Sequence, residues 1–460
     1  MNDGRERVTA ALAEGWTFAG LYAVRAGGPV RVVLANDEGA VRLETLEPVQ
    51  GAVRSIVDVV PAAGWDEREA HDLYGIQFAG HEPMRPLVKH DLDLARWTVP
   101  VQGRDPYQVA VGPIHAGVIE SGHFRFHLVG EKILHLDARL FYKHRGLERA
   151  AEGSPLNQGI RYVARACAAC AVTNGVAYAQ AVEQVLGLTP GPGLARARTV
   201  LLELERVWSH LNDVSAVCAG TGLAAGAQRF AGLTERARRL NARLTGHRFL
   251  FGTVRVGGSD LALDSDATAF ARDELRGLRG EAASGWRELA FNRSFQDRLQ
   301  RVGVVRAKDA RRLGAVGPAA RAAGVAVDVR AVSPLLAYDA FAPVCPEQAT
   351  GDVRSRHEQR KLELEQSFEV LDKLLAEPVA PASAERGGRE DSIGAARVES
   401  PRGATLCVVE RDEDRIARVH LRTGSYANWP VVAFAAAGNM LPDFPLVNKS
   451  FELCYACADR

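Results

Sequence analysis

Two cysteine pairs constrain this chain more than anything else in it. One is Cys167-Ala168-Ala169-Cys170; the other, Cys454-Tyr455-Ala456-Cys457, lies close to residue 460. A Cys-x-x-Cys step turns the backbone so that two thiolates can face one centre. Two such steps supply four sulfurs, and soft thiolates select zinc, iron–sulfur clusters or other soft transition-metal centres. Local zinc sites space their pairs by about 15–20 residues. Here 287 residues separate Cys167 from Cys454, so a shared site has to be assembled by the folded core. The competing readings are two unrelated pairs of small buried cysteines, or a redox dithiol, and neither pair sits in the βαβ context expected of the latter. Cys218, Cys345 and Cys407 have no paired neighbour and are expected to be buried and reduced. The odd total of seven, and a start (Met1–Arg7) charged with both signs and lacking an export signal, argue against a disulfide framework.

With 47% hydrophobic and 25% charged residues the chain can build a sizeable core. Its net charge of +1 excludes a general electrostatic pull toward nucleic acid or anionic lipid. The charge-free stretches Ala166–Val182 and Thr423–Pro442 carry Asn, Thr and Gln, or Pro and Gly, so neither reads as a membrane span. The expected fold class is α+β: a small N-terminal α+β domain followed by a mostly helical domain with small antiparallel sheets. Thr9–Glu14 and Asp66–Tyr74 read as helices; Val30–Asn36, Val41–Leu46 and Val53–Val60 read as strands. Val88–Pro106 is polar with two prolines, a linker. Gln108–Val111, His123–Val129 and Lys132–Asp137 predict a short antiparallel sheet. Asn157–Leu186 predicts one long helix, apolar on most faces. Thr199–Ala216, Arg229–His247, Ala267–Leu289 and Val353–Leu375 follow helical spacing. Pro378–Gly403 reads as irregular loop, and Thr405–Glu410 with Arg415–Leu421 as a hairpin turning at Asp412-Glu413-Asp414.

Gly112-Pro113-Ile114-His115-Ala116-Gly117, Glu120-Ser121-Gly122-His123-Phe124-Arg125-Phe126 and Tyr142-Lys143-His144-Arg145-Gly146-Leu147-Glu148 resemble the large subunit of membrane-bound, energy-converting nickel-iron hydrogenases of the formate hydrogenlyase type. The resemblance continues through the first cysteine pair, Arg255–Gly258, Gly351–Arg356, Glu399–Gly403 and Asp443–Phe451 to the final Cys454–Arg460. The same blocks resemble, more loosely, the D subunit of NADH-quinone oxidoreductase (complex I). Asp66–Glu69, Asp72–Ile76 and Gly80–Pro83 look like the C subunit of the same complex, which in the formate hydrogenlyase type is fused in front. The resemblance implies a domain like the C subunit over 1–95, a linker over 96–106 and a hydrogenase large-subunit domain, akin to the D subunit, over 107–460.

It also implies roles. Cys167 and Cys454 would be terminal nickel ligands, and Cys170 and Cys457 would bridge nickel to an iron carrying carbonyl and cyanide. Arg402 resembles the arginine over the open coordination site, there to polarise hydrogen and, if desolvated, to help accept a proton. Cys454 is the thiolate expected to take a proton, and Glu120 is a relay candidate whose structural alternative is an ion pair with Arg125 or Arg145. In the rival, metal-free reading the cysteines are vestigial and His115 marks a quinone site, or the chain acts as a scaffold subunit with no chemistry of its own. Asp352 reads first as a helix cap. Two positions depart from the family pattern: Ala168 stands for Gly and Asn174 for His. Alanine adds a methyl group where only glycine's φ range is cheap; Asn174 can still donate one hydrogen bond to a thiolate. The family's tail is trimmed a few residues past the last cysteine, so an end at Arg460 is expected to be either the trimmed form or a variant made without a tail. No Gly-x-Gly-x-x-Gly or Walker-type loop supports direct NAD or ATP binding. Electrons would leave through iron–sulfur clusters on a small partner resembling the B subunit of complex I and on a ferredoxin-like partner. The assembly would sit on the cytoplasmic, inner face of the cell membrane, on a proton-pumping arm.

Overall fold

The computed structural model describes residues 4–90, 97–114 and 120–460. It is mixed α+β. Helix α1 (Gly4–Ala13) precedes an antiparallel meander of β1 (Thr17–Ala23), β2 (Val30–Ala35) and β3 (Val41–Leu46). Helix α2 (Gly64–Tyr74) ends at Gly75, whose φ of 68° closes the last turn. Only Val53 and Arg54 of the expected strand 53–60 fall in β4 (Ala52–Arg54), which runs parallel to β5 (Gln77–Ala79). Beyond Arg54 the backbone leaves the ladder because Glu67 of α2 takes it over. Ser55 Oγ and the Ile56 N–H both donate to its carboxylate at 2.8 Å.

Further along, β6 (Tyr107–Val111), β7 (His123–Val129) and β8 (Lys132–Arg139) form a second meander. Then come α3 (Leu147–Ala151), α4 (Ala171–Val185), α5 (Pro192–Gly220), α6 (Ala224–Thr245), α7 (Ser265–Phe291) and α8 (Val353–Leu374), which enclose the main apolar core. The expected single helix over 157–186 is broken. Ile160–Val163 and Ala164–Ala166 are short turns, Cys167 is extended (φ −155°, ψ 140°), and α4 starts only after Cys170. Breaking the helix there turns both sulfurs to one side.

A small four-stranded sheet joins β9 (Leu188–Pro190), β10 (Val254–Arg255), β11 (Gly258–Ser259) and β12 (Ala382–Arg386). The last sheet is β13 (Ile393–Ser400), β14 (Gly403–Asp412) and β15 (Arg415–Arg422), antiparallel throughout. The loop expected over 378–403 is therefore wrong: it holds β12 and β13. β13 lacks the β-branched signature of a strand because α4 lies almost in contact with it. A Cβ at Gly394 would fall 1.9 Å from the Ala181 carbonyl oxygen, so the strand is built from small residues. The β1–β3 sheet lays Tyr22 and Val33 against Ala395, Leu406 and Val408 of this last sheet. The chain finishes with α9 (Gly424–Ala436), α10 (Phe444–Phe451) and the single turn α11 (Ala456–Asp459). No helix among the described residues is long and apolar enough to cross a membrane.

Candidate metal centre

The fold brings the two cysteine pairs together. The sulfurs of Cys167, Cys170, Cys454 and Cys457 all lie within 4.8 Å of one another. Cys170 and Cys457 are buried, Cys167 is 8% exposed and Cys454 is half-buried. The first pair is set by the start of α4. The Ala169 N–H donates to Cys167 Sγ at 3.3 Å, and Cys170 is the residue before the first helical turn. Glu205 of α5 fixes that turn: its carboxylate accepts from the Val172 and Thr173 N–H groups (2.7 and 3.1 Å) and from Thr173 Oγ1 (2.6 Å). Ala168 lies in a 3-10 turn and is not among the residues with positive φ. The expected strain of alanine at this position is absent.

The second pair is held by contacts from many elements. The Cys454 N–H donates to Ser425 Oγ (3.1 Å) and the Ala456 N–H to Glu120 Oε2 (2.7 Å). Tyr455 packs its ring 4.8 Å from Trp429 and 6.3 Å from Phe124. Arg145 ties the two pairs to each other. Its Nη1 donates to the Arg165 carbonyl (3.1 Å), and its Nη2 donates to the carbonyls of Ala166 (2.7 Å) and Ala456 (3.1 Å). These contacts correct the expected ion pairs of Glu120. Glu120 meets the Ala456 N–H, Arg145 meets carbonyls, and Arg125 meets Gln108. Burial raises the Glu120 carboxyl pKa. Within the cluster, the three other thiols hydrogen-bond to Cys454 and pull its pKa well below the usual thiol range, while those of Cys170 and Cys457 are pushed up.

Arg402 occupies the tight β13–β14 connection. Ser400 Oγ donates to the Gly403 carbonyl (2.8 Å) and accepts from the Arg402 N–H (3.0 Å). Gly403 has φ 118°, and a Cβ there would meet the Gly317 N–H nitrogen at 2.7 Å, so only glycine closes this turn. The Arg402 guanidinium is 4% exposed and donates both Nη groups to Asp213 (2.7 and 2.8 Å). Burial alone would lower its pKa; the Asp213 charge, with Cys454 and Glu452 behind it, reverses that and raises it. Arg402 is therefore held as a buried ion pair with Asp213.

Sequence reasoning missed Asp213. It belongs to a stripe on α5, Glu203, Arg206, His210 and Asp213, all 0% exposed. Their spacing of three, four and three residues puts them on one helix face, a signal visible in the sequence. Arg206 donates to the Glu399 and Ser400 carbonyls (2.7 and 3.2 Å), His210 Nε2 lies 3.1 Å from Glu363, and Tyr338 donates to Glu203 (2.6 Å). Asn174, one turn past Cys170, is buried with no partner for its amide among the described residues. Asp352 caps α8, accepting from the Ser355 N–H at 2.9 Å, as expected. His115 lies outside the described residues.

Comparison with known proteins gives a consistent set of relatives. Residues 224–386 and 389–460 match the family described as the 49 kDa subunit of respiratory-chain NADH dehydrogenase. Residues 21–102 match its 30 kDa subunit. Formate hydrogenlyase subunit 5 of Escherichia coli is 30% identical over 437 residues, covering 88% of this chain and 76% of the relative. The fused C/D subunit of the NADH-quinone oxidoreductase of Bdellovibrio bacteriovorus is 30% identical over 375 residues, covering 74% and 66%. Among solved structures, a chain of the membrane-bound sulfane sulfur reductase, an archaeal respiratory membrane complex, superimposes with a TM-score of 0.71. It is 27% identical, and the match covers 77% of this chain and 99% of that one.

Proposed function

Because the chain belongs to the family that joins the large subunits of formate hydrogenlyase-type, membrane-bound hydrogenases to the 49 kDa and 30 kDa subunits of respiratory NADH dehydrogenase, we propose that it is the catalytic large subunit of a nickel-iron hydrogenase. The observation that carries this reading is the convergence of four sulfurs within 4.8 Å from segments 287 residues apart. An all-thiolate donor set of this kind fits soft transition metals. Cys167, Cys170, Cys454 and Cys457 would hold nickel and iron, the iron bearing carbonyl and cyanide. When bound, that centre supplies a Lewis acid for heterolytic cleavage or formation of hydrogen.

The protein's own groups then divide the work. Arg402, fixed by Asp213, presents a buried positive charge beside the thiols. Cys454 receives the proton, and Glu120, at the solvent edge of the tail segment, exchanges it with water. The three remaining cysteines are dispersed, so electrons leave through iron–sulfur clusters of a small partner resembling the B subunit of complex I and of a ferredoxin-like partner. The domain division 1–95, 96–106 and 107–460 puts a portion like the C subunit ahead of the catalytic one. The complex would be peripheral on the inner face of the cell membrane, on a proton-pumping arm.

Metal analysis of protein matured in a hydrogen-metabolising host tests this directly. Nickel near one per chain together with infrared bands of carbonyl and cyanide is expected; their joint absence overturns the reading. A second reading draws on a different observation. An apolar cavity of about 300 Å3 lined by Val111, Phe124, Phe444, Leu453 and Tyr455 adjoins the tail pair, and it would suit a quinone headgroup in a metal-free, complex I-like protein. Absence of metal combined with quinone reduction would favour that alternative.

A further inference from the structure

We infer that Glu69, far from the thiols in sequence and on the N-terminal helix α2, is a positioning residue for the second cysteine pair, acting through Arg460. This rests on the reading of the four thiols as one metal pocket. Cys457 and Arg460 lie on and at the end of the same single turn, α11, so a shift of the Arg460 side chain moves Cys457 directly. The Arg460 guanidinium is 3% exposed. Its Nε donates to Glu148 (2.8 Å), its Nη2 donates to Glu69 (2.7 Å), and it stacks 4.6 Å over the Tyr426 ring.

The two carboxylates are not equivalent. Glu148 also receives Arg418 Nη1 and the Leu421 N–H, each at 2.9 Å. It already serves a second buried cation. Glu69 serves Arg460 alone: its other oxygen is buried without a partner among the described residues. Its helix is itself held in place, because Asp66, one turn earlier, pairs with Arg422 at 2.8 and 3.3 Å. Removing Glu69 leaves Arg460 with Glu148 alone, which it shares with Arg418, itself 3.7 Å from Glu152; loss of a buried partner costs far more than loss of a surface one would. The N-terminal sheet region thereby becomes part of what keeps the thiol pocket shut.

The test uses full-length protein made without metal-inserting factors, labelled with iodoacetamide and mapped by peptide mass spectrometry. Cys218 and Cys407, buried elsewhere, are internal references. In E69Q the labelling rate of Cys457 rises about tenfold, the change equivalent to one charge-assisted hydrogen bond, with the references unchanged. E69D restores it toward the native rate. Tyr22→Phe, which removes a 2.6 Å hydrogen bond to Glu410 elsewhere between the sheets, leaves it unaltered. If E69Q does not fold, R460K, which keeps the charge but cannot reach both carboxylates, shows the same rise. Native labelling of Cys457 in the soluble variant, or an equal rise at Cys218 and Cys407, overturns the inference. Nickel content and the carbonyl and cyanide bands of the matured wild type report separately on the metal reading, so the two can fail independently.

Discussion

Replacing Asp213 by Asn tests whether a single carboxylate organises the charge beside the thiols. Asp213 accepts both Nη groups of Arg402 and the Nε of Arg360 at 2.7 to 2.8 Å. All three side chains are at most 4% exposed. Breaking a buried pair by removing one charge costs about 3–5 kcal/mol. Arg360 keeps the Arg356 and Phe451 carbonyls at 3.0 and 2.9 Å, and the Asn oxygen still accepts one hydrogen bond, so about 3 kcal/mol is expected. In an Arg402→Met background the Arg360 contact and a longer one of 3.4 Å to His210 Nδ1 remain to be weakened, and the same change costs about 1 kcal/mol. The coupling is therefore about 2 kcal/mol, well above the roughly 0.5 kcal/mol expected of independent sites. Urea unfolding of the four proteins, followed by tryptophan fluorescence, measures it. In matured protein, D213N should also lower hydrogen turnover about 100-fold, in line with loss of one preorganised charge. Additive stabilities, or full turnover in D213N, would refute the assignment of Arg402 as a cation fixed by this residue.

Other outcomes follow from the same geometry. Arg145→Met removes three guanidinium–carbonyl bonds bridging the two cysteine segments, about 3 kcal/mol for one part-buried and two exposed contacts. Nickel retained against EDTA should then decay on the order of 100-fold faster, and an unchanged half-life would count against the bridge. Ala168→Gly should bring no gain in metal loading and a stability loss of up to about 1 kcal/mol by chain entropy, because Ala168 is unstrained. A rise in nickel content would show the opposite. His357, packed 4.3 Å from Trp286 with both ring nitrogens unpartnered among the described residues, has its pKa lowered from 6.5 to about 3, by burial and then by Arg360 and Lys361. Between those values the unfolded chain binds the proton and the folded chain does not, so stability falls as pH drops from 6.5 toward 3. At about pH 5 the penalty is about 2 kcal/mol. His357→Leu should lose less stability than the wild type between about pH 7 and about pH 5, and parallel melting curves would exclude the effect.

The helices α5 to α8 and the strands β3 and β7 were legible because their apolar residues recur at one unambiguous period. The failures share a cause. β13 hid behind Gly394, Ala395 and Ala396: α4 crowds Gly394, Ala395 packs under the β1–β3 sheet, and small residues carry no strand signal. The helix expected through Cys167 failed because hydrophobic periodicity cannot register an extended residue whose partners lie 287 positions away. Cys-x-x-Cys spacing announced the four sulfurs, and the resemblance pointed to Arg402 and Glu120. Neither showed that Arg402 answers to Asp213, Glu120 to the Ala456 N–H, or Arg460 to Glu69, since those pairings exist only once distant segments meet.

The charged face of α5 has a consequence for how such a chain can diverge. Its members find their counterparts on the α8 helix, in the loop around Tyr338 and at the β13–β14 corner. None of Glu203, Arg206 and Asp213 can be neutralised alone without stranding an opposite charge in the interior. Substitutions along this face are therefore expected to arrive in matched sets drawn from separate stretches of the gene, so that correlated drift, rather than invariance, would be its evolutionary fingerprint.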